Sequence, residues 1–180
     1  MRKSREEAAQ TRKRIVEAAS CEFRKNGIVA TGLNDLMKAA GLTHGGFYKH
    51  FESKDQLVAE ACAEAVEAMM GVMAAQPTMN AAVAAYLSAR HRDNPASGCP
   101  LSAIGTELAR SDKKTREAAT DGFERLVDVL AGKSDTPDAR RRALVAVSTM
   151  IGALTMARVV ADPKLSAEIL GEVEKSLREG

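Results

Sequence analysis

The chain has 180 residues, 45% of them hydrophobic, with no Trp and six Phe or Tyr; its core must come mainly from Ala, Leu, Val and Met, a composition suited to helices. The net charge of +2 conceals a division: residues 1–54 carry eleven Lys or Arg against six Asp or Glu, and residues 55–180 carry fifteen against eighteen. Either only the basic first part meets a polyanion, or both parts are solvated surface with a chance imbalance; charge alone does not choose between them.

In chain order, residues 1–8 read as a frayed basic tail. A first helix is predicted over residues 9–25, with Ile15, Val16, Ala18, Ala19 and Phe23 at helical spacing and Asn26-Gly27 as its stop. Thr31 is expected to cap a second helix with apolar positions Leu33, Leu36, Met37 and Ala40, broken by Gly41. Thr43 is expected to cap a short third helix over residues 44–50. Ser53, with Gln56 at capping-box spacing, opens a long fourth helix whose apolar stripe runs from Leu57 to Met73 and which Pro77 ends. A helix over 80–92, a loop over 93–100, a short helix over 101–109 and a longer one over 112–131 follow. Thr136-Pro137-Asp138 opens the next helix, with Pro at its first position, and Asp162-Pro163 separates it from a last helix over 164–178.

Three of the six aromatics, Phe47, Tyr48 and Phe51, fall within five positions, interleaved with Lys49 and His50 and followed by Lys54. A short helix, a glycine turn and a second short helix make a helix-turn-helix. Its second helix lies in a DNA major groove, with amino-terminal residues at base edges; here these are Thr43, His44, Gly45 and Gly46. Each helical glycine costs roughly 1 kcal/mol relative to Ala, so the pair needs a reason: close approach to DNA, or close packing on another helix. Phe47 and Phe51 read as core plugs before base contacts. Tyr48 suits either role, and His50 is a phosphate contact or plain surface.

Over residues 10–57, the order and spacing of Thr31, the run L-M-K-A-A-G from Leu36 to Gly41, Leu42-Thr43, Gly45, Tyr48, His50-Phe51, Ser53-Lys54 and Leu57 resemble the TetR family of bacterial transcription regulators. Beyond residue 57 the likeness rests on length, helical content and helix order. The resemblance implies an all-α fold of about nine helices, with a helix-turn-helix DNA-binding domain over residues 1–54 and a ligand-binding and dimerisation domain over 55–180. It implies that Thr31, Tyr48 and Lys54 hold phosphates and that Thr43, His44, Gly45, Gly46 and Phe47 face bases. The family usually has Ala where this chain has Met37, and often Ser or Thr where it has Gly46. The expected partners are a double-stranded DNA operator, a small-molecule effector and a second copy of the chain. The expected role is a repressor released from a palindromic operator by that effector. The rival reading is a helical protein-interaction module that does not bind DNA.

Residues 55–180 contain no Asp/Glu pair, Ser-His set or metal-ligand spacing that stands out, so neither an enzyme nor a cofactor or metal is expected. Met69, Met70, Met73, Tyr86, Cys99, Leu101, Ile104 and Phe123 are candidate lining of an apolar pocket, though each also reads as core. Residues 139–161 are apolar on two sides. Leu144, Val147, Ile151 and Leu154 form one stripe, and Val145, Thr149, Gly152, Met156 and Val159 another; such a helix is buried on both. The last helix repeats the theme with Leu165, Ile169, Val173 and Leu177. Given the resemblance, Ala143, Val147, Gly152, Ala153, Met156, Leu165, Ile169 and Val173 are expected at a dimer interface, the alternative being one buried helix in a monomer.

The three cysteines lack a pairing pattern, which argues against a disulfide framework and a zinc site and for a reducing, cytoplasmic setting. Cys99 opens a helix from a Ser-Gly-Cys-Pro loop, where a thiol can be activated; an ordinary buried thiol is the other reading, and Cys21 and Cys62 read as core. No apolar run approaches the roughly 20 residues of a membrane span, and the charged start lacks the apolar core of a secretory signal.

Overall fold

The computed structural model describes residues 2–179. Among them, nine α-helices and two 3₁₀ turns follow one another without a strand, as an all-α chain of about nine helices requires. They are α1 (Arg2–Asn26), α2 (Leu33–Ala39), a 3₁₀ helix (His44–Lys49), α3 (Lys54–Ala74), α4 (Met79–Tyr86), α5 (Ala89–Asp93), a 3₁₀ turn (Pro95–Ser97), α6 (Pro100–Leu108), α7 (Lys113–Ala131), α8 (Ala139–Val159) and α9 (Pro163–Glu179).

Two apolar clusters form. The first gathers Ile15, Ala19 and Phe23 of α1, Leu36 and Met37 of α2, and Phe47, Phe51 and Leu57. It does not stop at residue 54: Val58, Ala61 and Cys62 of α3 and Ile104 and Leu108 of α6 are buried in it. The second is aliphatic and Met-rich, running from Val66, Met69, Met70 and Met73 through Tyr86 and Leu126 to Met150, Leu154 and Leu170. The long helix α3 serves both, its first turns in one cluster and its last turns in the other.

Side-chain caps set several helix starts. The Ser53 hydroxyl accepts from Gln56 N–H at 3.1 Å, and the Gln56 carboxamide oxygen accepts from Glu52 N–H at 2.9 Å, a near capping box. Thr78 and Asp112 cap α4 and α7 in the same way. Other expectations are corrected. Described residues 2–8 belong to α1 rather than to a frayed tail; Arg, Lys, Glu and Ala are strong helix formers, and extending a formed helix needs no new nucleus. Thr31 does not cap α2: its hydroxyl donates to Gly27 O at 2.5 Å, and Gly32 holds the cap position. Thr43 stands at the cap of the 3₁₀ helix without a side-chain bond. The helix expected over 80–92 is two helices, because the Ser88 hydroxyl accepts from His91 N–H and starts α5 afresh. Pro137 precedes α8 instead of occupying its first turn.

By length and composition α8 is apolar enough to cross a membrane, although Arg140, Arg141, Arg142 and Arg158 interrupt it and leave no uncharged run near the length of a span. One side of it is nevertheless spoken for: Ala143, Val147, Met150 and Leu154 are buried within the protein.

Candidate nucleic-acid interface

The turn between α2 and the 3₁₀ helix is fixed by the backbone. Leu42 N–H reaches Met37 O at 2.8 Å and Gly41 N–H reaches Lys38 O at 2.9 Å, with Gly41 at φ +71°. This is a Schellman stop, which needs the left-handed conformation that glycine adopts without penalty. The chain leaves it aimed so that Phe47 plunges inward, fully buried, and stacks on Phe51 with ring centroids 5.6 Å apart. One anchored ring leaves its neighbours outside. Thr43, His44, Gly45, Tyr48 and Lys49 are exposed, Tyr48 by 68%, on one short segment. A side chain at Gly45 would meet nothing within 4 Å, and one at Gly46 only the tip of Met37 at 3.5 Å, so neither glycine is demanded by packing inside the protein.

Several expected contacts sit elsewhere. Phe47 is a core plug, and its buried ring is withdrawn from the exposed strip. The Thr31 side chain is 2% exposed and spent on Gly27 O. Lys54 is half-buried: its ammonium donates to Ile28 O at 2.6 Å and lies 5.8 Å from the Phe23 ring centroid. It pins the loop after α1. His50 is half-buried, with its carbonyl accepting from Arg12 Nε. Arg12 is a residue that sequence reasoning missed. It forks onto Glu60 of α3, lies 4.4 Å from the Phe51 centroid, and so ties α1 to α3 across the aromatic cluster. The Glu60 bond raises the guanidinium pKa. No pattern in the sequence marks it, since the partners are 48 residues apart.

Behind the helix-turn-helix, the loop before α6 is held directly by α1 and α5, and α4 and α8 in turn hold α5. Gly98 O accepts from Arg24 Nη1 of α1 at 2.6 Å. Cys99 N–H donates to His91 Nε2 at 2.9 Å, and His91 Nδ1 in turn meets Tyr86 O at 2.7 Å. A ring that accepts at one nitrogen and donates at the other is neutral. Burial first, then the nearby Arg158 and Arg24 charges, push its pKa down to about 4 against the Tyr86 bond. Arg158 of α8 donates to His91 O, Arg92 O and Ser102 Oγ. A Cβ at Gly98 would lie 2.5 Å from His91 Nε2, so glycine is required there. Farther along α6, Glu107 Oε2 accepts from Val29 N–H at 2.8 Å, and a Cβ at Gly27 (φ +88°) would lie 2.8 Å from Glu107 Oε1. The loop and α6 are therefore fastened to the head near both ends.

Of the candidate pocket residues, Met69, Met73 and Tyr86 share one cavity of about 460 Å³. Leu101 and Phe123 line a different groove of about 400 Å³ between α6, α7 and α8. Met70 is buried in the body core and Ile104 in the head core. Cys99 is buried at the cap of α6, whereas Cys21, expected in the core, is exposed. Cys62 is buried, and burial pushes its thiol up to about 11.

The expected dimer residues divide. Ala143, Val147 and Ala153 face their own protomer's core and are corrected on that ground. Gly152 is exposed, with Met156 at 49% and Leu165 at 43%, while Ile169 and Val173 are half-buried. The exposed apolar face of α8 also includes Leu144, Val145 and Val159.

Residues 15–61 match the family model of bacterial regulatory proteins, tetR family, and residues 75–165 match that of the C-terminal domain of LmrA/YxaF-like transcriptional regulators. The chain belongs to the TetR family. Its head is 45% identical over 58 residues to the HTH-type transcriptional regulator TtgR of Pseudomonas putida, a match covering 32% of this chain but only 28% of that protein. Across 84% of its length it is 29% identical to the uncharacterized HTH-type transcriptional regulator Rv0196 of Mycobacterium tuberculosis, of which 86% is covered. A TetR transcriptional regulator from Chloroflexus aurantiacus superposes with a TM-score of 0.75 at 28% identity, over 98% of this chain and 94% of that one.

Proposed function

We propose that this chain is a homodimeric, ligand-responsive DNA-binding transcription regulator of the cytoplasm, acting as a repressor on a palindromic operator. The division proposed is a DNA-reading head over residues 1–54 and a sensor and dimerisation body over 55–180, with α3 linking them. The observation that carries the reading is the exposed strip Thr43, His44, Gly45, Tyr48 and Lys49 raised on a buried Phe47–Phe51 stack. In this reading His44 meets base edges, Tyr48 and Lys49 meet phosphates, and Gly45 lets the backbone come close. Two heads related by a dimer axis read half-sites one helical turn or a multiple apart. The effector acts by binding one head spacing better than the other, since only differential affinity shifts a population.

The test is a gel shift with the DNA upstream of the chain's own gene at two salt concentrations. Specific retardation that weakens steeply with salt is expected. His44→Ala should reorder preference among operator variants, with each base pair worth roughly 1–3 kcal/mol. Absence of any salt-sensitive DNA complex refutes the reading in favour of a protein-interaction module.

A further inference from the structure

The body cavity of about 460 Å³ lies between the end of α3 and the α4–α5 corner, within the usual size of small-molecule sites, roughly 300–1,000 Å³. Its wall is apolar where Met69, Val72, Met73 and Ala85 contribute, and Val72 is 49% exposed although it is β-branched and uncharged. No Asp or Glu lines it. Two of its lining residues are ionisable nitrogen bases. His91 is held neutral by its two ring bonds and cannot offer a charge. Arg90 is exposed at the rim, and its guanidinium has no hydrogen bond or ion pair among the described residues.

The deeper field has the same sign. Arg24 and Arg158, both buried to a large extent, are bonded to neutral oxygens: Ser20 O and Oγ and Gly98 O for one, His91 O, Arg92 O and Ser102 Oγ for the other. Burial lowers the pKa of both; the one carboxylate acting on Arg158 is that of Asp93, which is already ion-paired with Arg92. An apolar cleft with a free cation at its mouth, buried cations behind it and no carboxylate in its wall has no counter-charge for an ammonium ligand and a ready one for an anion.

We infer that this cleft takes a small amphipathic carboxylate, its apolar body against Met69, Val72, Met73 and Ala85 and its carboxylate at Arg90. The assignment rests on the sensor reading of the body and names the class of effector. It also gives the occupant a route to the head. Ser97 lines the same cleft and is followed by Gly98, whose carbonyl is held by Arg24 of α1.

Calorimetry of the full chain with octanoate, 1-octanol and octylammonium, and with 2-naphthoate and 2-naphthol, tests the charge of the head group at constant body. Carboxylates should bind below about 1 mM, tighter than the alcohols, and octylammonium weakest. Arg90→Gln, an exposed change that leaves the core untouched, should weaken the carboxylates about fivefold and spare the alcohols, the upper range for an exposed pair. Ala85→Phe, which fills the cleft, should weaken every probe. Alcohols binding as tightly as carboxylates, an unchanged affinity in Arg90→Gln, or no carboxylate binding below about 1 mM overturns the assignment. Operator binding without ligand is measured on the same sample. DNA retardation without carboxylate binding removes this inference alone. Carboxylate binding without DNA retardation leaves the cleft standing and removes the regulator reading.

Discussion

The head and the body are both helical, yet they are stabilised by different means. Four of the six aromatics lie at or before residue 51, and three of them, Phe23, Phe47 and Phe51, are buried with Leu36 and Met37 in one cluster. The body core holds one fully buried aromatic, Tyr86, and otherwise relies on Met, Leu, Val and Ala. Rings fix orientation, because a large flat side chain fills one shape. Thioethers and small aliphatics fill irregular space and tolerate displacement. On the proposed function, a head that presents a fixed strip to DNA gains from the first material, and a body that admits an effector gains from the second.

Gly152→Glu attacks the comparison at its widest point. A side chain there meets nothing within 4 Å in the protomer, so folding should be unaffected. Sedimentation should show monomers, and operator affinity should fall about 10²–10⁴-fold as bivalent binding is lost. A stable wild-type monomer at micromolar concentration sinks the dimer proposal. Ala153 is unsuitable for the same test, because it is 7% exposed and a charge there would unfold the protomer.

Phe47→Ala separates the regions next. Losing this fully buried ring should cost about 3–5 kcal/mol in denaturant unfolding. The dimer should persist by sedimentation while DNA retardation disappears. If DNA binding survives, the ring does not aim the strip.

The junction gives a pH signature. His91 titrates at about 4 when folded and at about 6.5 when unfolded. Between those values the unfolded chain holds more protons, so stability should fall as pH drops from about 6.5 to about 4 and be insensitive to this group above that window. Urea midpoints against pH should lose that part of the slope in His91→Gln. An identical slope in the variant rules out His91 as its source.

The smallest effect is expected from Lys49→Ala, an exposed cation beside Tyr48. The salt slope of DNA binding should become shallower by about one unit, with base preference unchanged. Lys54→Ala is a less clean test, because its ammonium also holds Ile28 O and its removal loosens the head itself.

How much was legible follows the same division. The head was readable because its determinants are local. The Gly41 stop, the Ser53 cap and the Phe47–Phe51 plugs act within a few residues of themselves, and their spacing survives in the linear chain. Thr31 was misread because a hydroxyl before a helix suits a cap and a turn equally, and only the fold decides between Gly27 O and the helix N–H groups. In the body, periodicity found the helices and the two stripes of α8 but not which stripe faces inward. Val147 and Leu154 are buried and Val145 and Met156 exposed for reasons that lie in α7 and α9. The Arg24–Gly98 and Glu107–Val29 bonds join residues 74 and 78 positions apart, beyond any spacing rule.

Ile104 and Leu108, which complete the aromatic cluster from α6, have a consequence for engineering. A chain cut after residue 54 leaves behind the two side chains that close the bottom of the head, together with Val58, Ala61 and Cys62. Grafting the first 54 residues onto another regulator of this family would therefore transplant a reading surface onto a foreign floor. The graft should work when the recipient's own sixth helix offers two aliphatic side chains of similar bulk at matching positions. It should fail by local melting when it offers smaller or polar ones. Specificity in such chimaeras is portable only together with the short helix, half a chain away, on which the head rests.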